Sequence, residues 1–141
     1  MSDRVVLDAS FVAAHLLEET HSAFVARTLR DLADRELTST DLLVWEVGNI
    51  LRTRRRASGL SQLSSDEALA ALEELEIGLA PPGDAECLGA IGRVADVHTL
   101  SFYDAGYLEM ADRTQGVLAT LDRKLAVAAI AAGLTVHSPF A

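Results

Sequence analysis

Residues 5–17, VVLDASFVAAHLL, decide the fold of this chain. Three apolar residues lead into Asp8, and apolar residues at helical spacing follow, which is the pattern of a buried strand that turns directly into a helix. A second stretch at 116–132, GVLATLDRKLAVAAIAA, has the same order around Asp122. Two strand-to-helix units of this kind predict an α/β fold with a mostly parallel sheet.

The rest of the chain alternates between helical and strand patterns. Helices are predicted over 21–34, 41–57, 65–75, 84–97 and 102–113, and short strands near 37–38, 77–79 and 134–137. Ser39 and Thr40 are predicted to cap the helix that begins at Asp41, and Gly59 to end it. We expect one domain, residues 1–141, in which helices flank both faces of a sheet of four to five strands.

Composition narrows the class of protein. The chain has 141 residues, of which 50% are hydrophobic and 5% aromatic, so one aliphatic core is expected. A single cysteine, Cys87, excludes an internal disulfide and fits a reducing compartment. Neither a signal peptide nor a membrane-length apolar run is visible, which predicts a cytoplasmic protein with no membrane contact. Because the sequence has no Gly-rich phosphate loop, no nucleotide cofactor is expected.

The charge of the chain argues against nucleic-acid binding by charge alone. The formal net charge is -9, and the pI is about 4.7, whereas nucleic-acid binding proteins are usually basic. The basic residues are nevertheless clustered, since four of the twelve are Arg52, Arg54, Arg55 and Arg56. This run is either a contact for a nucleic-acid backbone or an ordinary solvated helix end, and both interpretations stay open.

Two aspartates occupy equivalent places in the predicted sheet. Asp8 and Asp122 each follow an apolar strand at the point where the chain enters a helix, which is where open α/β sheets bind ligands. Aspartate at this position is also a good N-cap. The spacing fits a cap and a ligand equally well.

Glu46 has less scope for a purely structural role. It lies within about 40° of Leu42 and Ile50 on its helix, in the middle of the apolar stripe, and it is too far from the helix start to act as a cap. A carboxylate on a buried face needs a partner or a metal ion. The structural alternative is a buried ion pair with an arginine. Its neighbour Trp45 points elsewhere and is predicted to belong to the core.

Asp104 has two possible roles. It follows Ser101 by three positions, so the pair could form a simple capping box at the start of the helix. Asp104 also shares a helix face with Leu108 and Ala111, which directs it toward the protein interior.

Acidic side chains that cluster on an apolar surface repel one another unless a cation binds between them. Hard, oxygen-preferring ions such as Mg2+ or Mn2+ suit a set of carboxylates. The four histidines are scattered and form no pair at ligand spacing, so zinc is not expected. The sequence thus predicts one divalent-metal site formed by Asp8, Glu46, Asp104 and Asp122.

Four blocks of sequence resemble one family, the PIN-domain nucleases, and within it the VapC-type toxins of toxin–antitoxin pairs. The blocks are VVLDASFV, LLVWEVGNIL, SFYDAGYLEMA and LATLDRKLAVAAIAAGL, and they occur in the order and rough spacing of that family. Together they span nearly the whole chain. The resemblance implies a PIN-like three-layer α/β/α fold.

It also implies an Mg2+- or Mn2+-dependent endoribonuclease whose acidic motif positions fall on the four acids already selected. Ser10 and Thr120 match polar positions beside the first and last acids, where a hydroxyl could hold metal-bound water or a neighbouring carboxylate. Ser10 fits a simple N-cap equally well. Asn49 matches a frequent polar position. The implied partners are an RNA substrate, a VapB-type antitoxin that blocks the site, and a second copy of the chain.

Two other classes of protein remain possible at this point. One is a PIN-like interaction module without catalysis, which the presence of all four acids disfavours. The other is a phosphatase or receiver-type domain that uses Asp8 as nucleophile or phosphate acceptor. Such a site needs a lysine near the phosphate, and Lys124 is the only lysine in the sequence.

Overall fold

A computed structural model describes residues 3–17, 20–58 and 62–141. The elements it contains, in chain order, are β1 (Arg4–Leu7), α1 (Ala9–Leu17), α2 (Ser22–Asp31), β2 (Glu36–Thr40), α3 (Leu42–Ser58), α4 (Gln62–Glu74), β3 (Gly78–Ala80), α5 (Ala85–His98), α6 (Phe102–Arg113), β4 (Val117–Ala119), α7 (Arg123–Ala131) and β5 (Thr135–His137).

The five strands form one parallel sheet in the order β3-β2-β1-β4-β5. The first strand lies in the centre, with Val6 opposite Thr38 of β2 on one side and opposite Leu118 of β4 on the other. Since the strands are parallel, all of their C-terminal ends meet at one edge. The predicted sheet of four to five strands is confirmed, and every strand pairing in it is parallel.

The central strands β1 and β4 are buried on both faces, as expected for a parallel sheet covered by helices, whereas the edge strands β3 and β5 are partly exposed. Val5 and Leu7 of β1 pack into a core with α1 to α4, whereas Val6 packs into a second core with α5, α6 and α7. Successive strand residues point to opposite faces, so one short apolar run contributes to both cores. The three-layer α/β/α prediction is therefore confirmed.

The capping role predicted for Ser39 and Thr40 is wrong, because both residues belong to β2. Ser39 is fully buried, and its hydroxyl donates to the carbonyl of Leu7 at 2.7 Å. Serine and threonine bond to backbone groups in several settings, so their presence before a helix did not identify a cap. The helix stop predicted at Gly59 lies outside the described residues.

Trp45 is also not a core residue, since its exposed fraction is 77%. Leu43 and Val47, two positions to either side, are fully buried. Positions two apart on a helix differ by about 200°, so burying Leu43 and Val47 turns Trp45 toward solvent. Within the described ranges, no helix has the combined length and hydropathy of a membrane span.

Candidate active site

The C-terminal edge of the sheet brings together the residues that the sequence pattern selected. Leu7 and Ala119 are paired across β1 and β4, so the segments that leave these neighbouring strands start side by side. Asp8 immediately follows the first strand, and Thr120 and Asp122 follow the second. This placement matches the ligand-binding edge of open α/β sheets.

Asp8 is held by a dense set of hydrogen bonds. Its Oδ1 accepts from the backbone N–H of Phe11 at 3.0 Å and lies 2.8 Å from the hydroxyl of Ser10. Its Oδ2 accepts from the hydroxyl of Thr120 at 2.5 Å and lies 3.0 Å from the same serine hydroxyl. Of the two roles considered for Ser10 and Thr120, the structure shows the second, in which the hydroxyls fix a neighbouring carboxylate.

The same hydroxyls tie Asp8 to the loop that follows β4. Ser10 Oγ accepts from the N–H of Leu121 at 3.0 Å, and Thr120 Oγ1 accepts from the N–H of Asp122 at 3.0 Å. Both hydroxyls therefore donate to Asp8, and both accept a backbone N–H from the segment that follows β4. The relative position of the two segments is fixed by side chains that touch Asp8.

Burial dominates the acidity of Asp8. Only 3% of the residue is exposed, and burial raises the pKa of its carboxyl to about 7, although the bonds from Thr120, Phe11 and Ser10 oppose the shift. The charge of Asp104 raises the pKa further. Within the described residues, no lysine, arginine or histidine forms an ion pair with Asp8.

Asp122 caps α7, because its Oδ1 accepts from the backbone N–H of Leu125 at 2.9 Å. Asp8 accepts from Phe11 in the same way at the start of α1. The cap and ligand interpretations are compatible, since the cap uses one oxygen of Asp122 and its Oδ2 remains for another partner. The two aspartates are thus equivalent as helix caps, but Asp8 directly follows β1 and is buried, whereas Asp122 lies three positions after the end of β4 and is partly buried.

Glu46 bonds to a tyrosine, and the arginine partner considered as an alternative is not what the structure shows. The hydroxyl of Tyr107, on α6, donates to Glu46 Oε1 at 2.8 Å. Burial and the charge of Asp104 raise the pKa of Glu46, while the bond from Tyr107 lowers it. Burial and the neighbouring Glu46 raise the pKa of the tyrosine above its usual range, so Tyr107 remains a donor.

Asp104 lies at the electrostatic centre of the acids. Its charge acts on Asp8 and on Glu46. Its own pKa is raised by burial and by Asp122, and it is lowered by Ser101 and Lys124. The side chain of Ser101 accepts from the N–H of Asp104 at 3.1 Å. In the described chain, the reciprocal bond that would complete a capping box is not formed, so the Asp104 carboxylate is not used as a cap.

The acids influence one another without forming a closed ligand cage. Among the described residues, no group of three or more His, Cys, Asp or Glu side chains lies close enough together to hold a metal ion. Carboxylates that share a region of low dielectric repel one another. Asp104 therefore lies close enough to Asp8, Glu46 and Asp122 for charge repulsion, but the described acids do not form a closed set of ligands.

The remaining residues predicted for the site are Asn49 and the four arginines of α3, and they differ in exposure. Asn49 is exposed on α3. Three of the four arginines, Arg52, Arg55 and Arg56, are exposed near the end of that helix, whereas Arg54 is partly buried. Arg54 lines a cavity of about 350 Å3 together with Ser10, Thr20, Ile50 and Leu121, along with Ala13 and Ala14. Arg54 is the arginine that the fold brings beside the acidic edge.

Tyr107 is the site residue that the sequence interpretation missed. It follows Asp104 by three positions and so lies on the same face of α6. A tyrosine one helical turn after a candidate acid was a usable signal, because a buried tyrosine hydroxyl needs a hydrogen-bond partner. Its partner Glu46 lies 61 positions earlier in the chain, and the sequence alone does not indicate how closely α3 and α6 approach.

Comparison with known proteins now identifies the class. A family model for the PIN domain matches residues 5–131, and the chain belongs to the PIN-domain family. Among curated proteins, it is 33% identical over 123 residues to Ribonuclease VapC3 of Pyrobaculum aerophilum, a match that covers 87% of this chain and 92% of that protein. The resemblance to VapC-type PIN domains, first inferred from four sequence blocks, is confirmed.

Two solved structures share this fold. PAE2754 from Pyrobaculum aerophilum is 25% identical, with a TM-score of 0.63 over 89% of this chain and 84% of that chain. VapC20 of Mycobacterium tuberculosis, a toxin that cleaves the Sarcin-Ricin loop, is 15% identical, with a TM-score of 0.62 over 93% of this chain and 96% of that chain. At 15% identity, the second likeness shows the fold alone.

Proposed function

We propose that this chain is a Mg2+- or Mn2+-dependent endoribonuclease and the toxin of a VapBC-type pair. The observation that carries the proposal is the placement of Asp8 and Asp122 after the paired strands β1 and β4, where the hydroxyls of Ser10 and Thr120 join the two segments. The charge of Asp104 raises the pKa of Asp8 and of Glu46, which adds these acids to the same region. Similarity to a ribonuclease over most of the chain supports it.

A divalent cation suits this set of donors. The four acids supply only carboxylate oxygens, which Mg2+ and Mn2+ prefer. Asp8 is a buried acid without a cationic partner among the described residues, and a cation would offset the repulsion that raises its pKa. When bound, such an ion activates water and stabilises the charge that develops on the scissile phosphate.

The side chains around the acids hold them in place for this chemistry. Ser10 and Thr120 orient Asp8, and Tyr107 orients Glu46 through one oxygen, which leaves Oε2 for a ligand. Raised pKa values at Asp8, Glu46 and Asp104 bring these carboxyls closer to the range in which a proton acceptor works at neutral pH. An acid not engaged by the metal would take the proton of the attacking water.

Neither alternative class is favoured. An inactive interaction module has no need for coupled acids with a dedicated hydroxyl network. A phosphatase or receiver domain would use Asp8 as nucleophile or phosphate acceptor, with a lysine near the phosphate. Lys124, the lysine such a site would need, acts on Asp104 and is not among the groups that shift Asp8.

A protein partner suits a separate apolar groove of about 290 Å3 between α3, α6 and the loop after β3. Its lining includes the exposed aromatic residues Trp45, Phe102 and Tyr103, with exposed fractions of 77%, 46% and 60%. Aromatic residues are enriched at protein interfaces, and exposed apolar patches mark them. We assign this groove to a second copy of the chain.

The charges that line the groove support a second copy of the chain as its occupant. Asp41 and Arg113 both line the groove, so the same patch carries both signs and can complement itself across a twofold axis. Light scattering should give the mass of a dimer, and Trp45→Ser should shift it toward the monomer while Val97→Ser, outside the groove, should not. A monomeric wild-type chain at micromolar concentration would contradict the homodimer.

The antitoxin is proposed to reach the acids with a basic segment, because the edge carries four acids and the chain has a net charge of -9. We also propose the cytoplasm as the working compartment, in line with a single cysteine and an RNA substrate.

Two measurements together test the function. One is calorimetry with Mn2+, and the other is sequencing of RNA ends after induced expression. Wild-type protein should bind Mn2+ and create new RNA ends, and Asp8→Asn should abolish both effects. The matched control is Asp112→Asn, which removes an exposed acid of α6 outside the site. If wild-type protein takes up no Mn2+ and the RNA ends equal those of Asp8→Asn, the proposal fails.

A further inference from the structure

A cavity on the α7 side of the acids has no role in the function described so far. It has a volume of about 600 Å3 and lies between the end of α5 and α7. We call it the α7 cavity; its lining residues are Val97, His98, Arg123, Lys124, Val127, Ala128 and Ala131. Its volume lies within the ~300–1,000 Å3 typical of ligand clefts.

The α7 cavity concentrates positive charge in an acidic protein. Arg123 and Lys124 both line it, and they directly follow Asp122 in the chain. The guanidinium of Arg123 lies 4.4 Å from the centre of the ring of Phe140, a residue outside the cavity lining, so Lys124 is the principal cation of the cavity. With a net charge of -9, the protein can attract a phosphate only through local clusters of this kind.

Lys124 also lies close to the acidic site. It comes two residues after Asp122, the N-cap of α7, and it lines the α7 cavity with an exposed side chain. Lys124 thus lies between the acidic edge and the cavity. A phosphate held by this lysine would be adjacent to the place where the acids act.

We propose that Lys124 and Arg123 form a phosphate-binding subsite in the α7 cavity, which holds the RNA backbone next to the scissile linkage. This inference rests on the proposed ribonuclease function and adds a binding site to it. The subsite recognises phosphate and not base identity, because ammonium and guanidinium groups bind backbone oxygens in any sequence.

The cavity lined by Arg54 also contains a cation, and its location indicates a path for the RNA strand. Arg54 lines the cavity beside Ser10 and Leu121, on the α1 and α3 side of the sheet. Lys124 and Arg123 line the α7 cavity on the opposite side. Ser10 of the first cavity is hydrogen-bonded to Asp8, and Arg123 of the α7 cavity directly follows Asp122, so a strand that contacts both cavities passes these two acids.

The apolar wall of the α7 cavity fits the same ligand. Val97 and Val127 are 76% and 57% exposed, and apolar side chains pack on ribose and base faces while cations bind the backbone. A protein partner could also cover these valines, and the experiment separates the two. A protein partner would leave RNA binding unaffected when Lys124 is changed.

Binding of RNA without cleavage provides the test. Fluorescence anisotropy would use a labelled 12-nucleotide single-stranded RNA of mixed sequence and protein carrying Asp8→Asn to prevent cleavage. Adding Lys124→Gln or Arg123→Gln should raise Kd by roughly three- to tenfold and reduce the slope of log Kd against log salt by about 0.7. Lys124→Arg should retain binding.

The matched control is Arg93→Gln, which removes one exposed charge from α5 outside the α7 cavity. If Lys124→Gln and Arg93→Gln bind RNA alike, the subsite is wrong, even when wild-type protein cleaves RNA normally. If wild-type protein cleaves no RNA, the ribonuclease proposal itself has failed.

Cleavage kinetics provide a second test. Lys124→Gln should raise KM more than it lowers kcat. If Lys124 served only as a counter-ion of Asp104, the substitution would instead change kcat and its pH profile.

Discussion

The hydroxyl of Tyr107 donates to Glu46 Oε1 at 2.8 Å and joins α6 to α3 across the acidic edge. Tyr107 is 1% exposed, so this hydroxyl has little access to water as an alternative partner. The bond fixes one oxygen of Glu46, lowers the pKa of its carboxyl and leaves the second oxygen for a ligand. Tyr107 is therefore a positioning residue that acts through Glu46.

Tyr107→Phe should reduce activity while the protein stays folded. The ring still fills its buried place, but Glu46 loses the donor that orients it and that lowers its pKa. Loss of a group that orients a metal ligand typically costs about 10- to 100-fold in metal affinity or activity. Mn2+ calorimetry and cleavage rates measure the effect. Tyr103→Phe, which changes an exposed tyrosine of the same helix, is the control.

Thr120→Val should impair the site more than an equivalent change elsewhere in the sheet. Thr120 donates to Asp8 and accepts from the N–H of Asp122, so valine removes both bonds at nearly constant shape. The expected cost in stability is about 1–3 kcal/mol, with a loss of cleavage on the order of tenfold or more. Urea unfolding and cleavage rates report the two effects.

Thr38→Val is the matched control for Thr120, because it removes one buried bond, to the carbonyl of Val5, away from the acids. It should lower stability and leave the cleavage rate of folded protein unchanged. Thr120→Ser retains the hydroxyl and should recover most activity. Equal activity of the two valine variants would show that the hydroxyl of Thr120 does not serve the site.

Without divalent cations, the protein should become less stable as pH rises from about 4 to about 8. Asp8 has a pKa near 7 in the folded chain and 3.8 as the ordinary value. The folded state therefore binds this proton more tightly than the unfolded state, and the stabilisation present at low pH is lost as pH rises to 7. For this one group, the change is on the order of 4 kcal/mol at most.

Urea unfolding across this pH range tests the effect. Asp8→Asn removes the titrating group and should flatten the profile. Mg2+ should stabilise the wild-type chain more at pH 8 than at pH 5, because the ionised carboxylate is the form that binds the ion. A profile that rises with pH in metal-free wild-type protein would show that Asp8 is ionised throughout.

Local patterns predicted the parts of the site that depend on neighbours in sequence. The strand ends at Asp8 and Asp122 follow from short apolar runs, and the face of Glu46 follows from helical spacing. The Tyr107–Glu46 bond depends on how two distant helices pack, which no local pattern contains. The core position predicted for Trp45 is wrong because the size and apolarity of a side chain do not determine its burial, whereas burial of Leu43 and Val47 sets the orientation of the helix.

Among the four arginines of α3, Arg54 should matter most for RNA binding. Its side chain lines the cavity beside Ser10, whereas Arg56 is exposed and absent from that lining. On an Asp8→Asn background, Arg54→Gln should weaken binding of a single-stranded RNA by several-fold and reduce the salt slope by about 0.7. Arg56→Gln removes the same charge and should have a smaller effect. Equal effects would mean that the helix end acts only through its net charge, and that the cavity beside Ser10 is not part of the RNA path.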